Sequence, residues 1–230
     1  MNKPVCAVVG IGPMNGAAFA RHFDKEGYAV ALLSRKTQFS STLATELQDA
    51  KAYACDVTDP QAVSEAFTAV ENDLGPVDVL IYNAGSGVWG NIEELKPQDF
   101  EFSWRVNAMG TFLTSQQVIP GMKSRGHGAI IIVGATASLR GKPFTTAFAP
   151  AKAAQRSLAQ SMARHLWPSG VHVALLIVDG MIENPHENTD PQAPTRIDPA
   201  HIAQAAHNLV QQPRSAWSFE VDLRPNLETW

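Results

Sequence analysis

Seven apolar runs recur along the chain, at 4–10, 28–34, 50–55, 77–83, 128–134, 171–178 and 216–223. Most are continuous rather than alternating, as in "VHVALLIV" (171–178), which is the pattern of strands buried on both faces. Between them lie stretches of helical length with one apolar face, at about 14–26, 39–48, 60–74, 97–123, 148–167 and 199–211. In the 97–123 stretch Val106, Met109 and Leu113 keep helical spacing, so a single long helix is predicted there. Strand–helix alternation of this kind predicts a parallel sheet with helices on both faces. With no internal repeat and no linker, 1–230 reads as one α/β domain. The polar, Pro-rich stretch near 183–198 reads as a long surface loop, either a lid over a substrate or a mobile insertion.

Charge and composition narrow the partners. Eighteen Lys and Arg against 22 Asp and Glu give a net charge of −4, which argues against a nucleic-acid-binding face. The apolar runs are too short to cross a bilayer, so no membrane span is expected. The chain opens directly into a strand and a glycine turn without a basic-then-apolar leader, so a cytoplasmic protein is expected. Cys6 and Cys55 sit in apolar runs and read as buried thiols of a reduced protein.

The first turn, "VVGIGPMNGAAFARHF", joins a buried strand to a helix through Gly10, Gly12 and Gly16, with Met14 and Asn15 between the last two. Glycines at such a turn let backbone N–H groups approach a pyrophosphate at the positive end of the helix. The spacing is one residue longer than the commoner dinucleotide fingerprint. An acidic residue that would hold a ribose 2′-hydroxyl is missing after the second strand, where the chain reads "LLSRK". Ser34 and Arg35 suit a 2′-phosphate instead, and hence NADP(H); read alone, Arg35 is more often a solvated surface charge.

Four further features, "CDVTD" (55–59), "YNAG" (82–85), Asn107 in "RVNAMGTF" and Lys152, follow in order. With the glycine turn they resemble the short-chain dehydrogenase/reductase family along essentially the whole chain. The resemblance implies a Rossmann-type, doubly wound, seven-stranded parallel sheet. It implies that Asp56 and Val57 hold the adenine and that Asn83, Ala84 and Gly85 line the cofactor groove. It also implies that Asn107 holds a structural water beside Lys152, whose ammonium bonds the nicotinamide ribose. "VDGMI" (178–182), with Gly180 and Ile182, matches the segment that cups the nicotinamide, and Asp179 stands where the family usually has proline. Pairing of the helices at 97–123 and 148–167 across a two-fold axis is implied as well, through Ala149, Ala153, Ala154, Leu158 and Met162, in a homodimer or homotetramer.

The departures lie at the chemistry. The family reduces carbonyls with a Tyr-x-x-x-Lys pair and an upstream serine; here Phe148 holds the tyrosine position and Ala135 the serine position. Val9 and Met14 replace the threonine and middle glycine of the turn, and Tyr82 replaces the first asparagine of "NNAG". Thr136, Ser138, Thr145 and Thr146 are the nearby hydroxyls, either oxyanion donors or local backbone ligands. Three functions stay open. One is an NADP(H)-dependent reductase of conjugated C=C bonds, since some enoyl- and dienoyl-thioester reductases of the family also lack this tyrosine and keep the lysine. Another is a carbonyl or imine reductase with a different proton donor, and the third is a non-catalytic NADP(H) sensor. Trp89 and the 183–198 loop, with His186 as a polar contact, are expected to shape the pocket for a small-molecule substrate.

Overall fold

The computed structural model describes residues 3–183 and 196–228. Seven parallel strands form one sheet: β1 (Val5–Val9), β2 (Ala29–Ser34), β3 (Ala50–Ala54), β4 (Val77–Tyr82), β5 (Gly128–Ala135), β6 (Val171–Val178) and, last in the chain, β9 (Glu220–Leu223). Their spatial order is β3-β2-β1-β4-β5-β6-β9, so the predicted doubly wound architecture is the observed one. The continuous apolar runs follow from this. Every residue of β1, β2 and β6 is buried, because helices cover both faces of the sheet. One apolar cluster lies on each face, around Phe67, Val118 and Leu166 on one side and around Phe19, Phe23 and Ile202 on the other. Among the described residues no helix is long and apolar enough to cross a membrane.

Helices α1 (Asn15–Lys25), α2 (Thr37–Glu46), α3 (Pro60–Asp73), α6 (Phe148–Leu166) and α7 (Pro199–Val210) agree with the periodicity. Proline at the first position and an Asp cap before it explain two of their starts: Asp59 accepts from Gln61 N–H and Asp198 from Ala200 N–H. The strand order reverses between β1 and β4, and the carboxyl ends of these two strands open a crevice there, where ligands bind in sheets of this kind.

Two local features depart from the sequence pattern. The predicted helix at 97–123 is divided into α4 (Pro97–Trp104), a π-helical turn (Arg105–Met109) and α5 (Gly110–Arg125). In the π turn Gly110 N–H bonds the Arg105 carbonyl, one residue further back than in an α-helix, and the buried Tyr82 hydroxyl donates to the Val106 carbonyl. A side chain at 110 would overlap the Tyr82 hydroxyl, so glycine is required where the two elements meet. Tertiary contact from β4 therefore sets the turn, and helical periodicity is blind to it. The second departure is a short parallel pair, β7 (Met181–Ile182) with β8 (Arg196–Ile197), extended by Glu183 N–H donating to the Ile197 carbonyl at 2.9 Å. It joins the two ends of the predicted lid; residues 184–195, including His186, lie outside the described residues.

Tyr82→Phe removes the donor and leaves the buried Val106 carbonyl unsatisfied, at a cost of about 1–3 kcal/mol. Urea denaturation of the variant is expected to show that loss with an unchanged dependence on denaturant concentration.

Candidate active site

Three loops at the carboxyl ends of the strands build the site, and the glycine turn is the tightest of them. Gly10 has φ +94°, and a Cβ there would overlap the backbone of Ala84 at the end of β4. A Cβ on Gly16 would lie 2.7 Å from the Gly10 carbonyl oxygen. Gly12 differs, because a Cβ there would meet no protein atom within 4 Å. Two of the glycines let strand, turn and helix close on each other, and the third leaves open space in front of α1. Asn83 locks the arrangement by donating from Nδ2 to the Gly10 carbonyl at 2.7 Å. Asn15, at the start of α1, is buried with its Oδ1 unpartnered.

Two cavities run away from this turn. The smaller, about 360 Å³, is walled by Gly10, Ser34, Arg35, Val57, Ala84 and Gly85. The larger, about 790 Å³, takes in Met14, Asn15, Trp89, Ala135, Phe148, Lys152, Gly180 and Ile182. They share Asn83, Gly85 and Ser86 in their walls, so the residues expected to hold the two ends of a dinucleotide line neighbouring cavities. Asp56 accepts from the N–H and hydroxyl of Thr58, fixing the loop that carries Val57 to the wall. Arg35 is exposed at the rim. Ser34 is less available than predicted: its hydroxyl donates to the Lys36 carbonyl at 3.0 Å and lies 3.0 Å from the Ser40 hydroxyl.

Lys152 is the most constrained group at the site. One turn inside α6 and buried, its Nζ donates to the Val133 carbonyl and to Gln155 Oε1, both at 2.9 Å. Burial pushes the amine down to about 7. Gln155, fully buried, passes the network on: its Nε2 donates to the Asn107 carbonyl at 3.0 Å and to the Thr111 hydroxyl at 2.8 Å. The Gln155 carboxamide thus bridges the Asn107 carbonyl and the Lys152 amine directly. Reading "AKAAQ" as a helix shows that residue 155 shares a face with 152, but nothing in the sequence marks it as polar ligand rather than surface glutamine.

Asn107 sits in the π turn and donates from Nδ2 to the carbonyls of Ser103 and Ser86, at 2.8 and 3.3 Å. Its Oδ1 is buried and unpartnered, and it faces the same point as Lys152 Nζ: a Cβ built on Gly85 would lie 3.6 Å from the one and 4.0 Å from the other. An acceptor and a donor thus converge on space that only a glycine leaves free. Open space before α1, an orphaned acceptor and a cationic donor at one junction fit a dinucleotide with polar ribose groups.

Beyond that junction the larger cavity is aromatic. Phe148 opens α6, its ring 5.2 Å from Trp89 and 5.9 Å from Lys152 Nζ, and Phe144 lies 5.9 Å from Trp89. Gly90 and Phe144 hold the two loops together, the Gly90 N–H donating to the Phe144 carbonyl at 2.9 Å. Ala135 lines the wall at the end of β5. Of the four candidate hydroxyls, Thr145 is engaged by the Lys142 backbone and Thr146 by the Pro143 carbonyl. Thr136 lines the cavity with a buried, unpartnered Oγ1; Ser138 is also unpartnered but stands off the wall. Asp179 has a structural role that the sequence did not disclose. Its N–H donates to the Leu223 carbonyl at 2.8 Å, which proline could not do, and its carboxylate lies 2.9 Å from Arg224 and 3.7 Å from Arg140.

The family model for short chain dehydrogenases matches residues 5–194. The chain is 30% identical over 231 residues, 98% of each chain, to an uncharacterised oxidoreductase of Staphylococcus saprophyticus. Among solved structures, a short-chain dehydrogenase from Rhodopseudomonas palustris superposes with a TM-score of 0.85 at 34% identity, over 96% of this chain and 98% of that one. A metagenomic short-chain oxidoreductase in complex with NADP gives 0.85 at 27% identity over 98% of each chain.

The buried amine has a readable pH signature. Its folded pKa lies below the ordinary lysine value, so the unfolded chain holds the extra proton between about 7 and the ordinary value of 10.5. Stability from this group therefore rises with pH across that window, and the cost of burying the charge is full below it. Denaturation of the parent and of Lys152→Met is expected to show the parent gaining on the variant as pH rises from 7 toward 10.

Proposed function

The chain belongs to the short-chain dehydrogenase family, and we propose that it is an NADP(H)-dependent oxidoreductase reducing an apolar, conjugated C=C substrate without a phenolic acid. The observation that carries this reading is the wall facing Lys152. Where a carbonyl reductase of the family would present a phenol and a serine hydroxyl, the cavity presents Phe148 and Ala135. Losing a positioned acid costs roughly 10²–10⁴ in rate, and losing an oxyanion donor roughly 10²–10³. Simple ketones, which need both, are poor substrates on these magnitudes. A conjugated double bond needs less, since hydride enters at the β carbon, the oxygen requires only hydrogen-bond donors, and the α carbon takes its proton from water.

NADPH supplies the hydride when bound. Gly12 and the start of α1 would face its pyrophosphate, Arg35 its 2′-phosphate, and Asn107 Oδ1 with Lys152 Nζ its ribose hydroxyls. Thr136 lines the cavity, and its hydroxyl, buried and without a partner among the described residues, would reach the substrate oxygen after a side-chain rotation. Phe148, Trp89 and Phe144 would hold a flat unsaturated group against their rings. An assembly through α4 and α5 is part of the same reading: Phe100, Phe102, Trp104 and Phe112 are exposed along these helices. On α6 Ala153 is exposed and Ala154 and Leu158 are half-buried, while Ala149 and Met162 are buried in their own protomer.

Three outcomes are expected. Arg35→Ala weakens NADPH binding by about 1.5–3 kcal/mol while leaving NADH binding unchanged, measured by calorimetry. NADPH oxidation by the parent is faster with conjugated enones than with the matching saturated ketones. The double variant Phe148→Tyr, Ala135→Ser gains activated-ketone reduction by about tenfold or more, because each restored group is worth at least that much. Brisk reduction of simple ketones by the parent, unchanged by Phe148→Tyr, would overturn the proposal.

A further inference from the structure

Remote from the cavity, on the outer surface where α1 meets α7, three side chains gather that the dehydrogenase chemistry does not use. His22 is on the last turn of α1, Glu26 is the residue that caps it, and His207 is on α7. The first two are four residues apart and share a helix face. One ligand atom from each lies within 4.8 Å of the other two. We propose that His22, Glu26 and His207 form a binding site for a divalent transition cation of the zinc class, clasping α1 to α7.

The chemistry of the donor set points to that class. Two imidazoles and one carboxylate, with a fourth position open to water, suit zinc and its first-row neighbours rather than calcium or magnesium, which demand oxygen ligands. A second observation points to a ligand: His22 Nε2 is buried and has no hydrogen-bond partner among the described residues.

The two imidazoles are positioned by packing. Their ring centroids are 5.2 Å apart, and His207 stands edge-on to Phe23 at 5.4 Å and to Tyr28 at 6.4 Å. Its Nε2 lies 3.2 Å from Gln211 Nε2, an exposed contact that a cation would replace. Bonds of about 2.0–2.1 Å place tetrahedral ligands about 3.3 Å from one another, so the site must close slightly on binding. Glu26 is exposed at the helix end and is the ligand free to swing in. The site is empty here. Its occupancy would tie together the helix that begins at the glycine turn and the helix that follows β8.

The test uses tag-free protein stripped with a chelator and then titrated with zinc, and separately with cobalt as a spectroscopic probe. Expected results are saturable 1:1 binding by calorimetry, a raised melting temperature with zinc, and the visible absorption of four-coordinate cobalt. His22→Ala, His207→Ala and Glu26→Gln should each weaken binding by about tenfold or more, since each removes one of three protein ligands. Glu26→Gln is an exposed, near-isosteric change, so it reads the site even if a histidine variant folds poorly. NADPH binding by Glu26→Gln should equal that of the parent, which separates this site from the proposed reductase activity. No saturable binding, or variants that bind zinc as the parent does, would overturn the assignment.

Discussion

Lys152 has to carry a buried amine at the edge of the cavity, and the elements around it are arranged to supply its acceptors. The Val133 carbonyl comes from β5, Gln155 from the next turn of α6, and through Gln155 the demand passes to the π turn between α4 and α5. That turn exposes Asn107 toward the same point and is held from below by Tyr82 of β4. Sheet, helix and π turn are thus coupled through one buried polar network. Such networks are rigid when every member is satisfied, and the open positions in this one are the Asn107 Oδ1 and the space in front of Gly85.

The residues that depart from the family pattern divide by what they do. Tyr82 and Asp179 are structural replacements, each making bonds its usual counterpart would not: a hydroxyl to a helix carbonyl, and an N–H with a carboxylate to the last strand and to Arg224. Phe148 and Ala135 make no such bonds. They remove polarity from the wall beside the amine and leave an aromatic surface with Trp89 and Phe144. On the proposed reading the cofactor half of the chemistry is kept and the substrate half changed, although Lys152, Phe148 and Ala135 all line the same cavity.

Strands, helices and their order were legible in the sequence, because burial on both faces leaves continuous apolar runs and a helix on a sheet leaves a 3.6-residue period. The resemblance to the family also implied that Gly10, Asn83, Asn107 and Lys152 gather at one site, and the fold brings them together in space. What the sequence left open was decided by contacts between residues far apart in the chain. The π turn depends on a hydroxyl 24 residues upstream, and the bridge from Gln155 to the Asn107 carbonyl spans 48 residues. Ser34 looked available until its hydroxyl turned to Lys36 and Ser40, and Thr136 looked like one of four equal hydroxyls until the other three found partners or left the wall. Local pattern records which side of an element is buried. Which polar atom finds a partner there depends on the neighbour that tertiary packing brings against it.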